Sequence, residues 1–154
     1  MQVKLIVAGK VKEAWLRAGI AEYSKRVQPY VRLEIIEVKD APDELPEERA
    51  KAEEGARLLA QVKPGSLTVA LDLAGEEMDS PTFAGRFAKW MEEGGAQVNF
   101  LIAGSRGFSE DVLKQCQARL CMGRMTYPHQ LARLIFLEQL YRACKILRNE
   151  KYHK

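Results

Sequence analysis

The sequence has 154 residues, 47% of them apolar and 29% charged, with a net charge of +3. These values fit a single globular domain over 1–154 with one sizeable core, and no apolar run reaches the roughly 18 residues of a membrane span. The opening Met1-Gln2-Val3-Lys4-Leu5 reads as the start of a strand rather than a secretion signal, so a cytoplasmic location is expected.

In chain order, residues 3–8 are a short apolar strand ended by Gly9. Residues 12–28 place Leu16, Gly19, Ile20, Tyr23 and Val27 on one helical side, and Pro29 stops the helix. Residues 33–38 are a second strand. A loop over 39–46, with Pro42 and Pro46, leads into a helix ending around Val62, whose first turn carries Glu47 and Glu48 near the positive pole. After the turn Lys63-Pro64-Gly65-Ser66 comes a strand over 67–72. Ser80 reads as the N-cap of the next helix and Pro81 as its first turn. Phe83, Phe87, Trp90 and Met91 form its apolar face, and Gly94-Gly95 ends it. Residues 98–103 are a strand followed by Gly104-Ser105-Arg106-Gly107. Ser109 caps a helix through about Ala118, a short strand lies near 119–121, and a loop over 122–128 precedes a last helix over 129–149.

Apolar strands that alternate with helices predict an α/β fold with a mostly parallel sheet covered by helices on both faces. The last helix has two apolar sides. Leu131, Leu134 and Ile135 form one, while Phe136, Leu137, Leu140, Ala143, Cys144 and Leu147 form the other. That pattern fits either a fully buried central helix or a helix that also meets a second subunit.

Chemistry is expected where strands end, because parallel sheets bind ligands outside their carboxyl edges. Three exits carry loop signals: Leu71-Asp72, Ala103-Gly104, and Met122 to Tyr127. The Gly104–Gly107 loop matches neither a dinucleotide nor a triphosphate fingerprint. Asp72 suits an acid–base group, a ribose ligand or a strand-end residue bonding loop amides. His129, after Pro128, suits a polar helix start. Glu138 and Arg142, four apart, share a helix face and can pair. The three cysteines, Cys116, Cys121 and Cys144, form no C-x-x-C pair and there are only two histidines, so neither a disulfide framework nor a metal site is expected. From Lys145 to Lys154 the tail carries four cations against one acid, with Tyr152 and His153, a composition that suits RNA or a solvated helix end.

Several segments together are more specific. They are V-K-L-I-V-A-G-K-V-K-E at the start, L-D-L-A-G at 71–75, F-L-I-A-G-S-R-G at 100–107, M-T-Y-P-H-Q-L-A-R-L-I-F-L-E-Q-L-Y-R-A at 125–143, and the closing Y-H-K. On these the chain resembles the RlmH family of ribosomal RNA large subunit methyltransferases in the SPOUT superfamily. The resemblance implies a C-terminal trefoil knot, S-adenosylmethionine as cofactor, and a homodimer whose active site draws on both subunits. The implied substrate is a pseudouridine of 23S rRNA, methylated at N3 within assembled ribosomes. Implied cofactor contacts are Leu71, Ala103, Gly104, Met122, Gly123, Arg124, Met125, Thr126 and Tyr127. Ala103 departs from the family, which usually has glycine there. Arg142, His153, Glu138 and Tyr152 are the catalytic candidates. Other readings are an RNA-binding module with a vestigial pocket, or a small-molecule enzyme.

Overall fold

The computed structural model describes residues 1–154. Strand β1 (Gln2–Ala8) is buried from Leu5 to Ala8 without alternation, as a strand covered on both faces must be. With β2 (Arg32–Val38), β3 (Leu67–Glu77), β4 (Gln97–Ile102) and β5 (Ala118–Cys121) it makes one five-stranded sheet ordered β2-β1-β4-β3-β5. Every pairing in it is parallel. The helices are α1 (Ala14–Val27), α2 (Glu47–Leu59), α3 (Ser80–Glu93), α4 (Glu110–Lys114) and α5 (His129–Leu147). Helix α5 packs between α1 and α3. The larger core joins these three helices to one face of the sheet. A smaller core, including Ile6, Leu58, Leu101 and Val112, lies under α2 and α4 on the other face. No helix is long and apolar enough to cross a membrane.

Phe136 is the hub of the larger core. It is fully buried, with its ring centroid 4.5 Å from Phe100 of β4 and 6.2 Å from Phe83 of α3. Truncating such a ring to alanine costs about 3–5 kcal/mol. The other side of α5 is covered too, since a Cβ on Gly19 of α1 would stand 3.1 Å from Leu134. The two apolar sides of α5 are therefore met largely within the chain, and they do not by themselves require a second subunit.

Three boundaries differ from expectation, each for a physical reason. Asp79, not Ser80, caps α3: its carboxylate accepts from the Thr82 amide at 2.8 Å, while the Ser80 hydroxyl is spent on Gln139 at 2.7 Å. Helix α4 stops at Lys114 instead of reaching Ala118. The chain must turn there, and the Gln117 amide already bonds the Thr68 carbonyl at the entry to β5. Strand β3 does not end at Asp72 but resumes to Glu77 after a bulge, so that Leu71 and Glu76 both face Leu120 of β5. Residues 72–75 are looped out of the ladder by that shift, and bulges commonly occur beside sites.

Candidate functional site

The exits of β3, β4 and β5 open into one cavity of about 700 Å³, a volume within the usual range for small-ligand sites. The β3 bulge supplies Leu71, Asp72 and Leu73, the exit of β4 supplies Ala103 to Ser105, and the 122–128 segment closes the third side. Gly107 has φ +82° and Gly123 φ +133°, conformations that glycine adopts without strain. The structure brings Leu71, Ala103, Gly104, Met122, Gly123, Met125, Thr126 and Tyr127 together on these walls. Arg124 is the exception. Its side chain is 86% exposed and stands near Glu77 at 3.9 Å, so it points away from the cavity. Ala103 is buried and lines the wall without filling it.

Asp72 and His129 also face the cavity. Burial, with the neighbouring Arg133 cation, holds the His129 imidazole below its ordinary pKa. No group of three or more His, Cys, Asp or Glu side chains is placed to hold a metal ion.

The catalytic candidates form their own cluster. Arg142 Nε donates to Glu138 Oε1 at 3.0 Å, and Arg142 Nη1 lies 3.2 Å from His153 Nδ1. The Tyr152 hydroxyl donates to Glu138 at 3.3 Å, and the Arg142 guanidinium sits 4.8 Å from the centroid of its ring. Tyr152 also packs edge-on to Tyr141 at 4.8 Å, so the tail is folded back on α5 rather than free. Hydrogen bonding to Glu138 raises the Arg142 pKa, and burial, with Tyr23 and Glu138 nearby, pushes the Tyr152 hydroxyl up to about 12. None of these four side chains lines the large cavity. His153 instead borders a second hollow, which shares Leu120 and Met122 with the first.

Sequence reasoning missed Glu54, Arg133, Phe108 and Gln130. Glu54 and Arg133 are 6% and 2% exposed and stand at the edge of the cavity, behind Gly104 and His129. The one available signal for Arg133 was a charged residue four positions after His129 on an apolar helix.

The cavity fits a nucleoside-sized cofactor: apolar side chains and glycine backbone make up much of its walls, and Asp72, Ser105, Thr126, His129 and Gln130 add polar groups to them. The family model described as "Predicted SPOUT methyltransferase" matches residues 1–153. Two full-length relatives are both described as ribosomal RNA large subunit methyltransferase H. The one from Carboxydothermus hydrogenoformans is 48% identical and the one from Ruminiclostridium cellulolyticum 46%, with all of each chain covered. A structure described as a probable methyltransferase, from Bordetella pertussis, superposes with TM-score 0.55 at 17% identity, covering 92% of this chain and 95% of that one. One described as a probable methylase family protein, from Haemophilus influenzae, gives 0.54 at 12% identity, covering 99% and 70%. The match of nearly every residue to the family model, with full-length relatives at this identity, places the chain in the SPOUT methyltransferase family, among the ribosomal RNA large subunit methyltransferases H.

Proposed function

We propose that this chain transfers a methyl group from S-adenosylmethionine to ribosomal RNA, at N3 of a pseudouridine of 23S rRNA in assembled ribosomes, as a cytoplasmic homodimer. The observation that carries the reading is the cavity at the exits of β3, β4 and β5, built from the segments that match the family. When bound, S-adenosylmethionine supplies an activated methyl on its sulfonium. The contacts at Leu71, Ala103, Gly104 and Met122 to Tyr127, with Arg124 contributing backbone only, hold the adenosine and shield it from water.

A pseudouridine must lose its N3 proton to be methylated, so negative charge develops on the base. Arg142, kept cationic beside Glu138, is placed to stabilise that charge. Glu138 orients Arg142, while Tyr152 and His153 contact the base or its backbone. These four residues lie outside their own chain's large cavity, which supports a dimer in which each tail serves the partner's cofactor. Exposed Trp15 and Leu147, 64% and 43% accessible, are candidates for the contact. A single domain over 1–154 carries all of this. A C-terminal knot is supported by the strand order, in which the chain leaves β4, passes β3 and enters β5, and by the 122–128 segment lying against the β3 exit.

The test is transfer of radiolabelled methyl from S-adenosylmethionine to ribosomes that lack the modification. Label in 23S rRNA, absent with Arg142→Ala at unchanged cofactor affinity, is expected. Cofactor binding without transfer would favour a non-catalytic RNA-binding module.

A further inference from the structure

Four tyrosines line the seam between α5 and the carboxyl-terminal half of α1. Tyr141 of α5 meets Tyr23 of α1 and Tyr30, just past α1, each at 6.2 Å between ring centroids, and Tyr152 of the tail at 4.8 Å. All four are half-buried. Cations stand on every one of these rings. Arg142 lies 4.8 Å from the Tyr152 centroid, Arg26 5.0 Å from Tyr23, Arg148 5.0 Å from Tyr30 and Lys145 5.5 Å from Tyr30. Lys145 and Arg26 also reach Tyr141, at 5.6 and 5.9 Å. The array runs unbroken from Arg142, in the catalytic cluster, to Arg148 at the end of α5, and it draws in a residue of α1.

A cation attracted to a ring face is held in place while its N–H donors stay free for another partner. The acids facing the array do not use up its charge. Glu22 accepts from Arg26 at 3.3 Å, Glu138 from Arg142 at 3.0 Å, and Glu150 from both Lys145 and the Tyr30 hydroxyl at 2.8 Å. The Arg148 guanidinium stands on its ring with no hydrogen bond and no ion pair. Lys25 and Lys151, exposed next to Arg26 and Glu150 in sequence, are unpaired as well. Like charges gathered at a surface repel one another, and a polyanion offsets that repulsion. A second copy of the chain seated here about a two-fold axis would instead set these cations against themselves.

We infer that Arg26, Lys145 and Arg148 form a phosphate-binding track for the RNA strand beside the target nucleotide, with the tyrosines holding the cations in place. The inference rests on the proposal that the substrate is ribosomal RNA and that Arg142 reaches the target base. None of the three lines the cofactor cavity, so they bind RNA without touching the cofactor.

The test is co-sedimentation of the full chain with ribosomes that lack the modification, between about 50 and 200 mM salt. The triple variant Arg26→Gln, Lys145→Gln, Arg148→Gln should bind about tenfold or more weakly, because each lost phosphate contact removes about 0.7–0.9 from the slope of log affinity against log salt. Its slope should flatten accordingly, with S-adenosylmethionine affinity by calorimetry unchanged. The control Arg49→Gln, Lys51→Gln, Lys114→Gln removes the same charge from α2 and α4, over the other face of the sheet, and should leave ribosome binding unchanged. Equal weakening by both triples would overturn the track. So would a lower melting temperature with ribosome binding and its salt slope intact, the outcome expected if the array only packs α1 against α5. If the triple variant does not fold, Arg148→Gln decides, since its guanidinium bonds nothing in the chain: a slope reduced by about one contact supports the track, and a parental slope overturns it. Arg148→Cys carrying a photoactivatable aryl azide should cross-link to 23S rRNA, and cross-links to ribosomal protein alone would overturn the choice of RNA. If the parent neither binds nor methylates ribosomes, the methyltransferase reading falls and the track with it. Parental binding that ignores the array removes the track alone.

Discussion

Gly75→Ala tests how the β3 bulge builds the cavity. A Cβ at position 75 would stand 2.7 Å from the Arg119 carbonyl carbon and 2.8 Å from the Leu120 amide nitrogen. Both are backbone atoms of β5, so no side chain can swing aside. The strand must move away from β3, carrying the Leu120 wall with it. Overpacking of this kind costs about 1–3 kcal/mol. In a chain of this length that lowers the melting temperature by about 2–4 °C per kcal/mol. Gly85→Ala is the internal control. It lies in α3 with nothing within 4 Å of the added methyl, so helix propensity alone acts and stabilises by about 0.8–1 kcal/mol. Urea unfolding of both variants at matched protein concentration reads the stability, and calorimetry with S-adenosylmethionine reads the cavity. Gly75→Ala should lose both stability and affinity, while Gly85→Ala loses neither. A Gly75→Ala protein with parental stability and affinity would refute the claim that close β3–β5 backbone contact shapes the site.

Deleting residues 151–154 removes the Tyr152 contacts with Tyr141, Glu138 and Arg142. It should lower stability by about 0.5–1.5 kcal/mol, the scale of one aromatic pair. Methylation should fall steeply with cofactor affinity unchanged, as checked by melting, turnover and calorimetry side by side. Arg124→Ala should leave cofactor affinity within about twofold, because a side chain directed into solvent contributes little. His129 predicts a pH dependence. Its folded pKa lies below the ordinary 6.5, so the unfolded chain binds the proton more readily. Its contribution to stability is intact above pH 6.5 and is lost as pH falls below it. Urea midpoints between pH 7.5 and 5 should decline, and His129→Asn should flatten that decline.

The strands and the two-faced cover were legible because continuous apolar runs such as L-I-V-A and N-F-L-I have no other use in a chain of this size. The bulge in β3 was not legible. L-D-L-A-G-E-E reads as a strand that ends at its acid, and only the close approach of β5 shows why Gly75 sits there. Asp79 and Ser80 are both good caps, and local sequence could not tell which would find an alternative partner in Gln139. The cavity segments were found by their place at strand exits and by resemblance. Arg124 misled because backbone at a site does not fix where the side chain points. Glu54 was invisible: on a helix rich in charged residues, four of them Glu, it looks solvated, and only the fold buries it behind Gly104. The pairing of Glu138 with Arg142 followed from their spacing, but the return of Tyr152 and His153 onto that pair is tertiary.

The central claim is methyl transfer to ribosomal RNA. It is tested most directly by mass spectrometry of 23S rRNA from cells with and without this protein. One pseudouridine-containing fragment is expected to be lighter by a single methyl group in the deletion and to regain that mass when the full chain is restored, but not when Arg142→Ala is supplied. An identical fragment mass with and without the protein would contradict it.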